Sequence, residues 1–338
     1  MSAENVEESF NLQLEAIQLL QNALKTSYLD AYIENIENIN DDYQVRVENG
    51  IPKADAVAEI ERLYEKQADI SLKKEEIRKL TQLLLLKGMQ TEPLQANHQL
   101  TPDSIGFLFV FLLEQLYPDK KDLKSVADLS VGMGNLLLTV LANLQETGFD
   151  IHGFGIDNDE TVLAVAASNS QWMQEELTLF HQDALNDLLL DPVDAAIGDL
   201  PVGYYPVDDK AADFVTHSTK GHSFAHHLLL EQSMKYVRPA GFGLFLVPAD
   251  FLATEQSELL KNWLAKAVYL QGVIQLPAEL FKNAAASKSI LLIQNKGNQA
   301  QQASEVLLAK VGSLKDPVQI KNFFTEFAEW KAANLPNG

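Results

Sequence analysis

The apolar positions in roughly the first 95 residues recur at intervals of three and four, which is the spacing of one helix face. They fall in two runs, Leu12, Leu14, Ile17, Leu20 and Leu24, and then Val57, Ile60, Leu63, Ile70, Ile77, Leu80 and Leu84. Asn49-Gly50 marks a turn between the runs, Pro52 suits a helix start, and Gly88 suits a helix C-cap. Residues 1–95 are therefore predicted to form an all-helical domain that packs on the rest of the chain, binds a partner protein or self-associates.

After a polar join around residues 91–98, short β-rich runs alternate with helical ones. The predicted strands are Ser125–Leu129, Ile151–Ile156, Leu177–His181, Ala195–Ile197, Gly243–Val247, Gly272–Gln275 and Ser289–Ile293. The predicted helices between them include Asn135–Gln145, Thr161–Met173, Phe224–Val237 and Ser257–Lys266. Because strands that alternate with helices pair in parallel, this order predicts a doubly wound α/β sheet.

The last two predicted strands differ from the others, since only the loop 276–288 separates them and no helical pattern interrupts it. A short connection favours an antiparallel pair. The prediction is a seven-stranded, mostly parallel sheet with one antiparallel strand and with the antiparallel pair at its end, in a domain over residues 96–298. Residues 299–338 are predicted to form a short tail with a strand at 306–311 and a helix at 317–333.

Composition narrows the class of protein. A chain of 338 residues, 46% of them apolar, can bury a substantial core. The absence of cysteine excludes disulfides, thiolate metal ligands and cysteine nucleophiles and suits a reducing cytoplasm, and no metal site is predicted. The N-terminal residues are polar and acidic, unlike a secretory signal, and no apolar run approaches the roughly 20 residues that span a bilayer. We therefore expect a cytoplasmic protein with no membrane partner.

The formal net charge of −21 bears on the choice of partner. Binding to a nucleic-acid duplex depends largely on Lys and Arg side chains that neutralise phosphates, so a strongly acidic chain binds DNA poorly by itself. No basic cluster stands out in the sequence. If the substrate is a nucleic acid, a partner is expected to supply the contacts; the alternative is that the charge serves solubility alone.

Ligands of doubly wound sheets bind beyond the carboxyl ends of the strands, and four such ends carry suggestive residues. The first segment runs from Asp128 to Asn135 and contains Ser130, Gly132 and Gly134. Glycines let the backbone approach a ligand, and the helix start that follows offers free N–H groups. A tight strand-to-helix turn also needs glycine for its geometry, so this segment alone leaves both interpretations open. The third glycine of a dinucleotide fingerprint is missing, which argues against NAD or FAD.

Two acidic residues follow the second and third strands. Asp157, with Asn158 beside it, ends the second strand and can accept hydrogen bonds from both hydroxyls of a ribose, or equally cap the next helix. Together with the glycine turn, Asp157 predicts a nucleoside-binding site. Asp183, followed by Ala184, can accept a hydrogen bond from an adenine amino group or be an ordinary loop carboxylate.

The fourth segment, residues 198–206, follows the fourth strand and reads Gly-Asp-Leu-Pro-Val-Gly-Tyr-Tyr-Pro. A rigid turn of this kind holds the Asp199 carboxylate and the neighbouring carbonyls at fixed positions. Tyr204 and Tyr205 could offer a stacking face to a planar base. The alternative is a Pro/Gly-rich surface loop that two aromatic residues anchor.

In this order the four segments resemble those of adenine-N6 DNA methyltransferases, specifically the modification subunits of type I restriction systems. The resemblance extends from about His98 to Lys296. Thr101-Pro102 resembles the family's Thr-Pro segment ahead of the first strand, with His98 where the family usually has Gln. Residues 238–248 and 274–293 resemble the family's helix-to-fifth-strand passage and its closing hairpin. The resemblance implies a class I, Rossmann-like methyltransferase fold and S-adenosylmethionine (SAM) as the cofactor.

The resemblance also implies roles for the matched positions. The methionine part of SAM would lie among Thr101, Asp128, Gly132 and Asn135, the ribose against Asp157, and the adenine amino group against Asp183. The full set of predicted cofactor-binding residues is His98, Thr101, Asp128, Ser130, Gly132, Gly134, Asn135, Asp157, Asn158, Asp183 and Ala184. Asp199 and Pro201 fall on the family's catalytic tetrapeptide, which is usually Asn-Pro-Pro-aromatic.

That tetrapeptide serves a difficult reaction, because the lone pair of an exocyclic amine is delocalised into the adenine ring. The family's Asn or Asp and an adjacent backbone carbonyl accept the amine's hydrogens and turn its lone pair towards the methyl group, so that positioning and electrostatics drive an in-line displacement. The aromatic residue stacks on a base flipped out of the helix. Here the first proline is Leu200 and the aromatic is Val202, so Tyr204 or Tyr205 is predicted to substitute.

Three functions are compatible with these residues. The first is a SAM-dependent methyltransferase that acts on adenine in nucleic acid. The second is a methyltransferase with another acceptor, such as a protein amide nitrogen, which the acidic charge favours. The third is a SAM-binding scaffold without activity. Only about 40 residues follow the last core strand, so sequence specificity is expected to need another subunit.

Overall fold

The computed structural model describes residues 2–92, 98–283, 286–298 and 300–335. The first part is helical, with α1 (Ser2–Leu24), α2 (Tyr28–Asn40), α3 (Ala54–Ala68) and α4 (Lys74–Thr91). The apolar stripe predicted from the sequence forms its core, where Ile17, Leu20, Ile60 and Leu84 are all buried. The predicted boundary between residues 95 and 96 lies outside the described residues.

Two local predictions in these helices had different outcomes. The turn at Asn49-Gly50 is confirmed, because both residues have left-handed φ values of 53° and 76°. The prediction that Gly88 caps a helix is wrong, since α4 continues to Thr91. A Cβ at Gly88 would lie 2.3 Å from ring atoms of Tyr28, so this glycine lets two helices approach closely.

The second part is an eight-stranded sheet in the order β3-β2-β1-β4-β5-β7-β6-β8. Its strands are β1 (Ser125–Asp128), β2 (His152–Asp157), β3 (Leu177–His181), β4 (Val193–Asp199), β5 (Val237–Pro248), β6 (Val268–Gln275), β7 (Lys288–Asn295) and β8 (Leu307–Lys310). All pairs are parallel except those of β7, which runs antiparallel to β5 and to β6. The predicted α/β fold with one reversed strand is therefore confirmed.

Helices cover both faces of the sheet. They are α5 (Asp103–Leu116), α6 (Asn135–Glu146), α7 (Glu160–Met173), α8 (Asp208–Ala211), α9 (Ala225–Lys235), α10 (Ser257–Ala267) and α11 (Pro317–Asn334). Buried side chains of α5, α6 and α11 share one core with the sheet, and those of α9 and α10 share the other. Within the described ranges, none of these helices or of α1–α4 combines the length and apolar character needed to cross a bilayer.

The C-terminal segment is built into the sheet. The predicted seven strands gain an eighth, because β8 pairs in parallel with β6. Because β8 flanks β6, the antiparallel pair β6–β7 does not lie at the sheet's end, and that part of the prediction is wrong. The reversed strand β7 lies between β5 and β6. Phe324 of α11 stacks on Phe111 of α5, with ring centroids 3.8 Å apart, so apolar burial holds this segment against the core.

The helical part docks on the sheet domain through α7 and the start of α5. The buried Tyr32 hydroxyl donates to Asn169 Oδ1 at 2.6 Å. The buried Arg78 guanidinium donates to Glu75 at 2.6 Å and to Asp103 at 2.9 Å. Since Asp103 begins α5, these contacts fix the position of the segment that precedes that helix.

Candidate active site

The strand order reverses between β1 and β4, and this is where a crevice forms at the carboxyl ends of the strands. A cavity of about 600 Å³ lies there. Among its walls are eight of the residues predicted from the sequence, namely His98, Thr101, Asp128, Ser130, Gly132, Asn135, Asp199 and Pro201. The other predicted residues, Gly134, Asp157, Asn158, Asp183, Ala184, Tyr204 and Tyr205, lie outside that wall.

The two glycines of the turn after β1 have different structural roles. Gly132 has a φ of 52°, and a Cβ built there meets nothing within 4 Å, so its bare face is turned to open space. Its N–H donates to Asp157 Oδ2 at 2.9 Å, which ties the turn to the end of β2. Gly134 has a φ of 80°, and its Cβ would lie 3.0 Å from the Cβ of Ala166 on α7. The turn thus presents backbone to the cavity and keeps α6 close to α7.

Asp128 ends β1 as a carboxyl group that is only 1% exposed. Its Oδ1 accepts a hydrogen bond from Ser130 N at 2.9 Å. Burial raises the pKa of Asp128 to about 7, and the charges of Asp199 and Asp157 add to that rise. The Asp128 carboxyl that lines the cavity therefore keeps its proton to a higher pH than an ordinary aspartate does, and a bound cation would favour its ionised form.

A chain of hydrogen bonds joins the two halves of the predicted site. Asn135, the first residue of α6, donates from Nδ2 to the Thr101 carbonyl at 2.7 Å. Thr101 in turn donates from Oγ1 to Asp199 Oδ2 at 2.9 Å. Asp199 ends β4, so one network joins two of the predicted methionine-binding residues, Thr101 and Asn135, to the predicted catalytic carboxylate.

Sequence reasoning missed Lys288, whose ammonium forms an ion pair with Asp199 Oδ1. The same nitrogen lies 3.4 Å from the Leu200 carbonyl oxygen. In the sequence this lysine closes the loop 276–288 and carries no motif. The predicted topology could have identified it, because a reversed strand begins at the edge of the sheet where the parallel strands end.

The residues predicted to bind ribose and adenine do not line the cavity. Asp183 Oδ1 accepts from Leu185 N at 2.9 Å, and its Oδ2 accepts from the Tyr205 hydroxyl at 2.6 Å. This bond turns the Tyr205 hydroxyl towards Asp183. Tyr204 is 55% exposed and stacks on Phe224, with ring centroids 4.9 Å apart.

The residues around the cavity fit SAM in kind. Asp128 can supply negative charge for a sulfonium cation, and the bare Gly132 backbone leaves room beside it. The Asp157 carboxylate accepts from the N–H groups of Gly132 and Asp159 and keeps further lone pairs for ribose hydroxyls. No group of three His, Asp or Glu side chains that could hold a metal occurs in the described part of the chain.

The fold is that of the class I SAM-dependent methyltransferases. Residues 83–327 match the N-6 DNA Methylase family, and residues 7–89 match the YtxK N-terminal helical domain. The chain therefore belongs to the N-6 DNA methylase family.

Two relatives match nearly the whole chain. The uncharacterized protein YtxK of Bacillus subtilis (strain 168) is 36% identical over 330 residues, which cover 98% of each chain. The crystal structure of a candidate class I SAM-dependent methyltransferase of Listeria monocytogenes is 39% identical, with a TM-score of 0.88, and the match covers 97% of this chain and 99% of that one. Both the helical part and the sheet domain thus recur together in these relatives.

A more distant structure shows the fold alone. The methyltransferase subunit of a type I restriction-modification system from Streptococcus thermophilus is 14% identical, with a TM-score of 0.64. The match covers 94% of this chain and 74% of that one. The likeness to type I modification subunits that the sequence motifs indicated therefore extends to the architecture.

Proposed function

We propose that this protein transfers the methyl group of SAM to the exocyclic amine of an adenine in nucleic acid, with Asp199 as the acceptor of the amine's hydrogens. The observation that carries the proposal is that the Asp199 carboxylate and the predicted methionine-binding residues Asp128, Gly132 and Asn135 line one cavity. A methyl donor and an amine held there would meet within a single enclosed space.

Bound SAM supplies an electrophilic methyl group on a sulfonium. Asp199 can bind the amine through Oδ1 once the Lys288 ammonium that contacts this oxygen is displaced, because Thr101 bonds to Oδ2 instead. The Leu200 carbonyl beside it is the second acceptor. As positive charge develops on the attacking nitrogen, the Asp199 carboxylate stabilises it electrostatically.

The proposed nucleic-acid substrate needs a partner. The net charge of −21 opposes direct binding of a polyanion. We propose that the partner docks on the helical part, which is fixed to the site through the Arg78–Asp103 ion pair. The partner would then supply both phosphate contacts and sequence recognition.

A protein amide nitrogen is the second candidate acceptor, and two observations favour it. Val202 takes the place of the family's stacking aromatic and is 53% exposed. Tyr204 is already stacked on Phe224, and the hydroxyl of Tyr205 is bonded to Asp183. An acceptor that needs no aromatic stacking would suit this wall of the site.

The decisive experiment incubates the protein with SAM labelled in its methyl group and with DNA, RNA and protein fractions of a cell extract. Label in N6-methyladenine supports the proposal, and label in protein alone supports the second candidate. If no fraction is labelled, and SAM but not NAD stabilises the protein against heat, the result would indicate a SAM-binding scaffold without activity.

Substitution of Asp199 links the activity to the site. Asp199→Ala should abolish transfer and leave the thermal shift by SAM in place, because Asp199 binds the acceptor. Asp191→Ala is the matched control, since Asp191 is exposed and lies beyond the opposite end of the same strand, β4. Loss of transfer and SAM binding together in Asp199→Ala would assign Asp199 to the cofactor or the fold instead.

A further inference from the structure

A side chain of the protein itself contacts the groups that we propose bind the substrate amine. We define the amine position as Asp199 Oδ1 together with the Leu200 carbonyl oxygen, the two acceptors assigned above to the substrate amine. The Lys288 ammonium contacts both. We propose that Lys288 is a specificity-determining residue, because its ammonium occupies the amine position and an acceptor must displace it; this inference rests on the proposed function.

The topology explains why a lysine reaches this point. Asp199 ends β4 and pairs with Leu246 of β5, while Pro248 of β5 pairs with Lys288 of β7. Adjacent strands lie about 4.8 Å apart, so Lys288 starts roughly 10 Å from β4 and only a long side chain crosses that distance. Because β7 is reversed, its first residue lies at the edge where β4 ends.

The surroundings favour the occupied state. The exposed fractions of the Lys288 and Asp199 side chains are only 20% and 24%, so solvent and salt screen this pair less than an ion pair on the open surface. The buried Asp128 nearby adds negative charge when it is ionised. An ammonium therefore binds the amine position better than a neutral amine of the same size.

This competition selects among acceptors. A free adenine amine offers one weak hydrogen bond to Asp199 and one to the Leu200 carbonyl in place of an ion pair, so it cannot displace Lys288 by itself. An acceptor with additional contacts, such as a base presented by a partner, can supply the missing free energy. Lys288 thereby makes transfer depend on the correct complex instead of on the base alone.

The test compares wild type with Lys288→Met, which keeps the apolar stem and removes the ammonium. If Lys288 occupies the amine position in most molecules, only a small fraction of the wild-type protein is free to bind the acceptor. Because apparent affinity scales with that fraction, removal of the ammonium should lower the KM for the methylated acceptor by about tenfold and change kcat little. Lys288→Arg should keep a high KM. Lys261→Met is the matched control, because Lys261 pairs with Glu258 at 2.9 Å on the exposed side of α10.

The outcomes separate this inference from the proposed function. If neither wild type nor Lys288→Met methylates any fraction, the proposed function fails, and this inference fails with it. If wild type is active and Lys288→Met shows an unchanged or higher KM, or loses kcat while SAM still binds, only the inference is overturned. The SAM-dependent thermal shift checks folding, and Lys288→Gln replaces Lys288→Met if that variant is unfolded.

Chemical labelling gives a readout that needs no turnover. Lysine acetylation by acetic anhydride, followed by peptide mass spectrometry, should modify Lys288 several-fold more slowly than Lys261 in wild type. Asp199→Asn should restore its reactivity, because the ion pair is lost. Equal reactivity of Lys288 in wild type and in Asp199→Asn would overturn the occupied state.

Discussion

Thr101 Oγ1 donates a hydrogen bond to Asp199 Oδ2 at 2.9 Å, across 98 positions of sequence. Thr101 is buried and precedes α5, while Asp199 is the last residue of β4. The bond fixes one face of the carboxylate, so its remaining lone pairs point where Lys288 and the proposed acceptor compete. The segment before α5 therefore sets the orientation of the proposed catalytic group.

Removal of this hydroxyl tests that role. Thr101→Val keeps the shape of the side chain, so we expect a loss of stability of only about 1 kcal/mol. Transfer should fall by about tenfold or more, because Asp199 is no longer held in one orientation. Steady-state kinetics and urea unfolding measure the two effects. A variant with wild-type kcat/KM would contradict the orienting role.

Asp128 should make SAM binding depend on pH. Its pKa of about 7 in the free protein means that it loses its proton as the pH rises through neutrality. The ionised form attracts a sulfonium, so SAM affinity should rise with pH, by at most about tenfold per unit for one coupled proton. Titration calorimetry at pH 6, 7 and 8 measures the trend.

Two controls isolate this effect. Asp128→Asn cannot titrate, so its SAM affinity should change little over the same pH range. S-adenosylhomocysteine lacks the sulfonium charge, and its affinity for wild type should depend on pH less than that of SAM. An equally steep dependence for both ligands would show that another group is responsible.

The contact between Tyr32 and Asn169 should hold the helical part on the sheet domain. Tyr32→Phe leaves the buried Asn169 oxygen without this donor, which costs about 1–3 kcal/mol of unfolding free energy. Urea unfolding followed by circular dichroism measures the loss. The double variant with Asn169→Leu should lose less than the sum of the single variants, because neither polar group is then left alone.

His226 should make the fold sensitive to acid. Burial lowers the pKa of His226 to about 3, with the charges of His227 and Lys288 as further causes. The unfolded chain binds a proton at this residue below about pH 6.5, whereas the folded chain does not until about pH 3, so stability falls as the pH drops through this range. The unfolding free energy of His226→Leu, compared with that of wild type at the same pH, should therefore be more favourable at pH 5 than at pH 7.5.

Much of the fold followed from local patterns. The helical stripe at Ile17, Leu20 and Leu84 predicted a buried helical core, and the strand–helix alternation predicted the parallel sheet. Gly88 was misassigned because a glycine required for contact with Tyr28 looks the same in sequence as a glycine that ends a helix. Periodicity reports which face is buried, but not what lies against it.

The position of the cavity also followed from the sequence, because several residues that line it sit at fixed offsets from strand ends. Asp128 ends β1 and Gly132 follows it, and both residues line the cavity. The roles of these residues in SAM binding, and the domain bounds given from the sequence, stay predictions.

The contacts of Asp199, the proposed acceptor-binding residue, could be decided only by the tertiary structure. Lys288 and Asp199 are 89 positions apart, and no spacing rule joins them. They meet because β7 is reversed, so that its first residue lies at the edge of the sheet where β4 ends. The long Lys288 side chain then reaches across β5, which lies between these two strands. Sequence alone determined the fold class and the polar residues at the strand ends; long-range strand pairing decided which of them share a cavity and which cation holds the carboxylate.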